Sequence, residues 1–309
     1  MHVPDEQEIV RIFQKKLRIK SREDVETFEI GNIGMVASTD TLVFDTDVPP
    51  GMSPRNAAAK SVTACASDFA AKGIRPSHGI ISVSLPRGTT SSYARQMALG
   101  VGQACSRYKI RMLGGDTNEG AASITVCLFG RADSVIPRNG AKSGDAVFVT
   151  GPFGYAAAGL DALMRGGRKF ARYVLSPEAR LEFGVKSRRF ISASMDSSDG
   201  LAATLHEIAR QSKKRMLIGK IPVRRDVIRY SESRHVDSDR FVFYGGEEYE
   251  IVFTSPLHHR RAIMSWAKKL KVPIIQIGMV AAGSGVYLKR DNGMVPLADD
   301  GWQHFKCAQ

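Results

Sequence analysis

The sequence predicts an α/β fold made of two α/β domains. Strand-like and helix-like segments alternate along its 309 residues. The alternation stops in a polar stretch, ADSVIPRNGAKSGD, punctuated by proline and glycine, and then restarts. The composition, 43% hydrophobic and 24% charged, is that of a globular chain. The expected domains are residues 1–135 and 136–309.

The first 20 residues read as an amphipathic helix without the apolar core or small-residue cleavage site of a signal peptide. Met35 to Phe44 is a strand candidate carrying acids towards its end. Ser53 is an N-cap followed by proline at the first helical position, and the helix runs to a stop at Gly73. His78 to Leu85 reads as a strand, Ser92 to Tyr108 as a helix, and Ile110 to Leu113 and Ile124 to Phe129 as strands. In the second half, Ala146 to Thr150 is a strand, Gly151 to Gly154 a turn and Tyr155 to Met164 a helix. Asp199 to Ser212 is helical, Glu250 to Thr254 a strand, and Pro256 to Leu270 a helix before the strand-like VPIIQIG.

No apolar run approaches the roughly 18 residues needed to cross a bilayer, so a cytoplasmic address is expected. Cys65, Cys105, Cys127 and Cys307 are too widely spaced for a zinc site or a disulfide framework. None of the seven histidines has metal-pair spacing. The net charge of +13 favours anionic partners. The basic residues are scattered in pairs and no aromatic residues interleave with them, which argues against nucleic acid.

The aspartates carry the chemistry. A single Asp beside a glycine is an ordinary turn residue. Here one arrangement repeats, a strand end followed by Asp with Gly, Ser or Thr, at Asp40, Asp116, Asp196 and Asp199. Asp68 sits in an otherwise apolar helix, where an unpaired carboxylate is costly to bury and a cation is its simplest rescue. Magnesium takes a few carboxylates and completes its shell with water and phosphate, as phosphoryl transfer requires. Ser38, Thr39 and Thr117 can add hydroxyl ligands.

No Walker-type loop and no complete protein-kinase signature is present. Gly151 to Gly154 reads first as a tight turn, with anion binding by its N–H groups the weaker alternative. Tyr244 to Glu250 reads equally as a hairpin-like turn and as a glycine loop that aims Glu247 or Glu248 at a ligand.

Taken together, STDTLV (38–43), SDFAAKGIRP (67–76), LGGDTNEG (113–120), RNGAKSGDAVFVTGPFG (138–154), MDSSDGLAATL (195–205) and GGEEYEIVFT (245–254) resemble the thiamine-monophosphate kinase family. That family belongs to the superfamily of aminoimidazole ribonucleotide synthetase. DTDVPPGM (45–52) is similar to its archaeal branch. The resemblance implies direct in-line transfer of the terminal phosphate of ATP to thiamine phosphate, assisted by several magnesium ions. It implies Asp40, Asp68, Asp116 and Asp196 as principal metal ligands, aided by Ser38 and Thr39, with Asp199 on a further ion. It implies ATP contacts from Gly115, Asp116, Arg138 and Ser198, and thiamine contacts from Asp47, Glu247 and Trp302. It also implies two domains per subunit, with the N-terminal sheets paired in a homodimer; the scattered charge and the absence of a long apolar run lead to no nucleic acid or membrane partner being expected.

Two departures stand out. The family's Gly-Asp-Asp near the N-terminus is Arg22-Glu23-Asp24 here, so that the resemblance implies Asp24 as a retained metal ligand, and GGEEYE replaces GGEDYE. The rivals are another ATP-dependent enzyme of the superfamily or a non-catalytic nucleotide- or RNA-binding member. Selenophosphate synthetase needs a reactive N-terminal cysteine, and none precedes Cys65.

Overall fold

The computed structural model describes residues 4–19 and 23–302. Arg22 and Cys307 lie outside the described residues. The first half contains α1 (Glu6–Leu17), β1 (Glu26–Ile30), β2 (Ile33–Val43), α2 (Phe44–Asp47), α3 (Pro54–Ala71), β3 (Pro76–Leu85), α4 (Ser91–Tyr108), β4 (Arg111–Glu119) and β5 (Ser123–Arg131). The second half contains β6 (Ala146–Val149), α5 (Tyr155–Met164), α6 (Ala171–Leu175), α7 (Leu181–Ser187), β7 (Ala193–Ser197) and α8 (Leu201–Ser212). It continues with β8 (Arg215–Ile218), α9 (Arg225–Ser233), α10 (Ser238–Tyr244), β9 (Glu250–Ser255) and α11 (Arg260–Leu270). It closes with β10 (Ile275–Ala281), β11 (Gly285–Arg290) and β12 (Gly293–Pro296).

Two mixed sheets result. The five-stranded sheet has the order β1-β2-β5-β3-β4, and the seven-stranded sheet β12-β11-β8-β10-β6-β9-β7. In the first sheet only β3 and β4 pair in parallel, joined by the crossover helix α4. No described helix is long and apolar enough to cross a membrane.

Helix α3 organises the molecule. Ser53 caps it by accepting from the Asn56 N–H at 3.2 Å, and Pro54 opens it. It ends at Lys72, where Gly73 adopts φ +68°, a conformation that favours glycine. Most of its side chains are buried, because the helix packs on β2 and β5 of the first sheet and on β7 and β9 of the second. One core cluster therefore runs across both halves: Val62, Phe69, Ile124 and Leu128 join Phe148, Phe183 and Phe253. A second core lies against α8 and includes Leu201, Leu205, Met216, Val252 and Ile277.

The alternation of β2 and β5 gives the first sheet two unlike faces. Val36, Leu42, Ile124, Val126 and Leu128 face the helices and are buried. The other face is open and apolar: Phe28 is 41% exposed, Ile30 62%, Ile33 43% and Ile80 44%. Helix α1 forms as expected, capped by Asp5, and buries none of its residues.

The structure changes several boundaries. Asp40 and Asp116 lie inside strands, since β2 runs on to Val43 and β4 to Glu119. Parallel pairing with β3 carries β4 on through Gly114 and Gly115, past a register shift at Leu113, so the glycines do not end it. Helix α8 starts at Leu201, leaving Ser198 and Asp199 in the preceding turn. Some basic residues do meet rings in space, with Lys169 over Phe170 and Tyr230 and Arg172 over Tyr173.

Candidate active site

Asp24, Asp68 and Asp196 converge from the loop before β1, from α3 and from β7. Their nearest carboxylate oxygens all lie within 4.8 Å of one another. Ser38 on β2 donates to Asp68 at 2.6 Å, and Ser67 on α3 donates to Asp196 at 3.0 Å. These two hydroxyls fix the carboxylates from strand and helix. The triad consists of hard oxygen donors, the set a magnesium ion takes.

The electrostatics divide the triad. Burial raises the Asp24 pKa, yet Lys72 and then Arg138 overcome it and hold the carboxyl below its usual range. Asp68 has no such help: burial and then repulsion from Asp196 push it well above the ordinary carboxylate value. Burial and then Asp24 push Asp196 up to about 7, with Ser67 and Arg138 opposing. Among the described residues neither Asp68 nor Asp196 forms an ion pair of its own, a situation a divalent ion relieves.

Asp40 flanks the triad on the helix-facing side of β2. Burial and then Asp47 raise its pKa to about 6, while Thr41 and Lys60 act the other way. Asp199 also contributes to that rise, so Asp40, Asp47 and Asp199 share one region. The Asp47 carboxylate accepts from the Val43 N–H at 2.7 Å and from the Thr46 hydroxyl at 2.9 Å. Ser198 accepts from the Glu247 N–H through its carbonyl at 2.6 Å, and Asp199 accepts likewise from the Trp302 N–H at 3.0 Å. Trp302 is 59% exposed beside that turn.

A single chain does not bring every expected residue together. Asp116 pairs with Ser82 and Thr39 with Cys127, both on the open face of the first sheet, away from Asp40. Asp116 accepts from the Asn118 amide at 2.7 Å. Gly115 has no room for a side chain, because an added Cβ would lie 1.6 Å from the Ile81 carbonyl oxygen. Arg138 does reach the site, but its guanidinium is clasped to Asp24, with Nε at 2.9 Å.

Gly151 to Gly154 forms the tight turn expected between β6 and α5. The Gly154 N–H of the turn meets the carboxyl of Glu248 of the chain itself. Glu248 Oε1 accepts from Gly154 at 2.7 Å and from Ala156 at 3.1 Å, at the N-terminus of α5. In the loop Tyr244 to Glu250, Glu248 therefore turns inward. Glu247, held at φ +64°, pairs with Lys60.

Sequence reasoning missed Lys60 and Lys72. Lys60 is 2% exposed, donates to the Asp47 carbonyl at 2.8 Å and pairs with Glu247. Lys72 is 0% exposed and binds Glu23 and Asp24. One signal was available: Lys60, Asp68 and Lys72 stand at i, i+8 and i+12 in an otherwise small and apolar helix, close to one stripe.

Residues 22–132 match the family model of the AIR synthase related protein, N-terminal domain. The chain is 49% identical over 310 residues to a thiamine-monophosphate kinase of Nitrosopumilus maritimus, covering 98% of this chain and 99% of that one. It is 33% identical to the thiamine-monophosphate kinase of Pyrococcus abyssi, covering 97% and 95%. Among solved structures it resembles AaThiL complexed with AMPPCP and TMP, with a TM-score of 0.87, 27% identity and 99% of each chain covered. Fold, acid cluster and relatives agree, and the chain belongs to the thiamine-monophosphate kinase family.

Proposed function

We propose that the chain transfers the terminal phosphate of ATP to thiamine phosphate, giving thiamine diphosphate and ADP. The observation that carries this is the triad Asp24, Asp68 and Asp196, whose nearest carboxylate oxygens lie within 4.8 Å of one another, with burial and then neighbouring carboxylates raising Asp68 and Asp196 above their normal pKa. The names of the relatives, and the ATP analogue and TMP held by the structural neighbour, support the choice of substrates.

Asp68 and Asp196 would hold magnesium, with Asp24 beside them, Ser38 orienting Asp68, and Asp40 and Asp199 extending the site. Bound magnesium supplies charge neutralisation for the transferring phosphoryl group. Arg138 offers a planar fork suited to phosphate, and moving onto ATP would release Asp24. On the acceptor side, Asp47 and Glu247 are held at one place by Lys60, and Trp302 offers an exposed indole for the thiazolium ring. ATP as donor fits a cytoplasmic setting.

A homodimer is part of this reading. The open face of the first sheet, with Phe28, Ile30, Ile33 and Ile80 exposed, is an apolar surface of the kind that pairs with another copy. Asp116, Thr39 and Gly115 belong to that sheet, so a paired copy would carry them into the dimer. The test is ADP release with ATP, magnesium and thiamine phosphate, using other superfamily substrates as controls. Stimulation by thiamine phosphate alone is expected, and none in a folded, ATP-binding sample would remove the assignment.

A further inference from the structure

We propose that Lys72 is a resident cation of the acid site, its ammonium filling the place that a further divalent ion would otherwise take. This rests on the proposed magnesium site and deepens it. Lys72 Nζ lies 2.6 Å from Glu23 Oε2, 2.8 Å from Asp24 Oδ2 and 2.9 Å from the Ser194 carbonyl. Two of these contacts are hydrogen bonds, to Glu23 and the Ser194 carbonyl, and the third is an ion pair with Asp24, whose buried Oδ2 has no hydrogen-bond partner among the described residues. The side chain is 0% exposed, so none of that charge is shared with water.

The cations gather at Asp24: Lys72 pairs with Glu23 and Asp24, and Arg138 pairs with Asp24 while its backbone N–H donates to Glu23 at 3.0 Å. Among the described residues neither Asp68 nor Asp196 has a direct ion pair of its own. Take Lys72 away and the Glu23 and Asp24 carboxylates and the Ser194 carbonyl are left around a gap lined by oxygen. A hard divalent ion suits such a gap. A role in packing alone would be served by an apolar side chain, since a buried ammonium is costly unless paired.

The experiment counts ions rather than turnover. Mn2+ bound per chain is measured by electron paramagnetic resonance and calorimetry, with AMPPCP present, for wild type, Lys72→Met and Lys72→Met/Glu23→Gln. Lys72→Met is expected to bind one more Mn2+ than wild type, and the double variant, which removes one of the two carboxylates facing the gap, the wild-type number. Equal numbers for wild type and Lys72→Met overturn the inference, as does an extra ion in the double variant. Should Lys72→Met unfold in metal-free buffer, Mn2+ is expected to restore its fold, and failure to do so also overturns the inference. Wild type that binds neither AMPPCP nor Mn2+ would instead sink the proposed function, so the two failures are distinct.

Discussion

The Ser67 hydroxyl on α3 donates to the Asp196 carboxylate on β7 across 3.0 Å. That bond joins the helix covering the first sheet to an edge strand of the second. It holds a carboxylate where repulsion disfavours it. Asp196 is therefore expected to be tolerated for function at a cost in stability. Asp196→Asn keeps the acceptor for Ser67 and removes the charge. It should lower turnover by at least about 100-fold while leaving the metal-free melting temperature unchanged or a few degrees higher. Steady-state kinetics and calorimetry on one preparation check both halves.

Lys60 joins two parts of the acceptor side, the Asp47 carbonyl and the Glu247 carboxylate. Lys60→Met should raise the KM for thiamine phosphate at least about tenfold, a loss of roughly 1.4 kcal/mol, with much less effect on the KM for ATP. Unfolding should become easier by about 1–3 kcal/mol, because Glu247 and the Asp47 carbonyl lose their buried donor. An equal rise in both KM values would count against this placement.

The acid site should bind metal more weakly at low pH. Asp40 and Asp196 are raised to about 6 and about 7, so protons occupy them increasingly as the pH falls through that window. A metal ion must displace those protons. Half-saturating magnesium should rise as the pH falls below 7. The slope should steepen towards pH 6, approaching about tenfold per pH unit for each proton displaced. Mn2+ titrations at several pH values measure it directly.

Glu248 should make the fold lose stability as the pH rises. Burial pushes its pKa up to about 8, even though the N–H groups of α5 pull the other way. Between the ordinary carboxylate range and pH 8 the folded state holds a proton that the unfolded state has released. Stability therefore falls across that window. Glu248→Gln preserves the acceptor for Gly154 and Ala156 and removes the proton. Its melting temperature should match wild type near pH 5 and exceed it above pH 8.

Much of this was readable from local signals. Ser53-Pro54 and Gly73 mark α3 because capping and φ preference are properties of the residues themselves. Asp68 announced itself as a carboxylate in an apolar stretch. The short strands β8, β11 and β12 were not legible, since strands of a few residues gain their stability from neighbours far along the chain. Lys72 escaped notice for a similar reason. A lysine at a helix end ordinarily faces water, and only tertiary packing reveals Glu23 and Asp24 against it. The open-face placement of Asp116 depends on strand register, in which a shift of one residue reverses the face.

The most direct measurement follows the label from ATP carrying a radioactive terminal phosphate, incubated with magnesium and thiamine phosphate. Wild type should place the label in thiamine diphosphate, and Asp196→Asn should do so at least about 100-fold more slowly. An unlabelled thiamine diphosphate pool with folded, nucleotide-bound protein would contradict the account. So would equal rates for the two proteins.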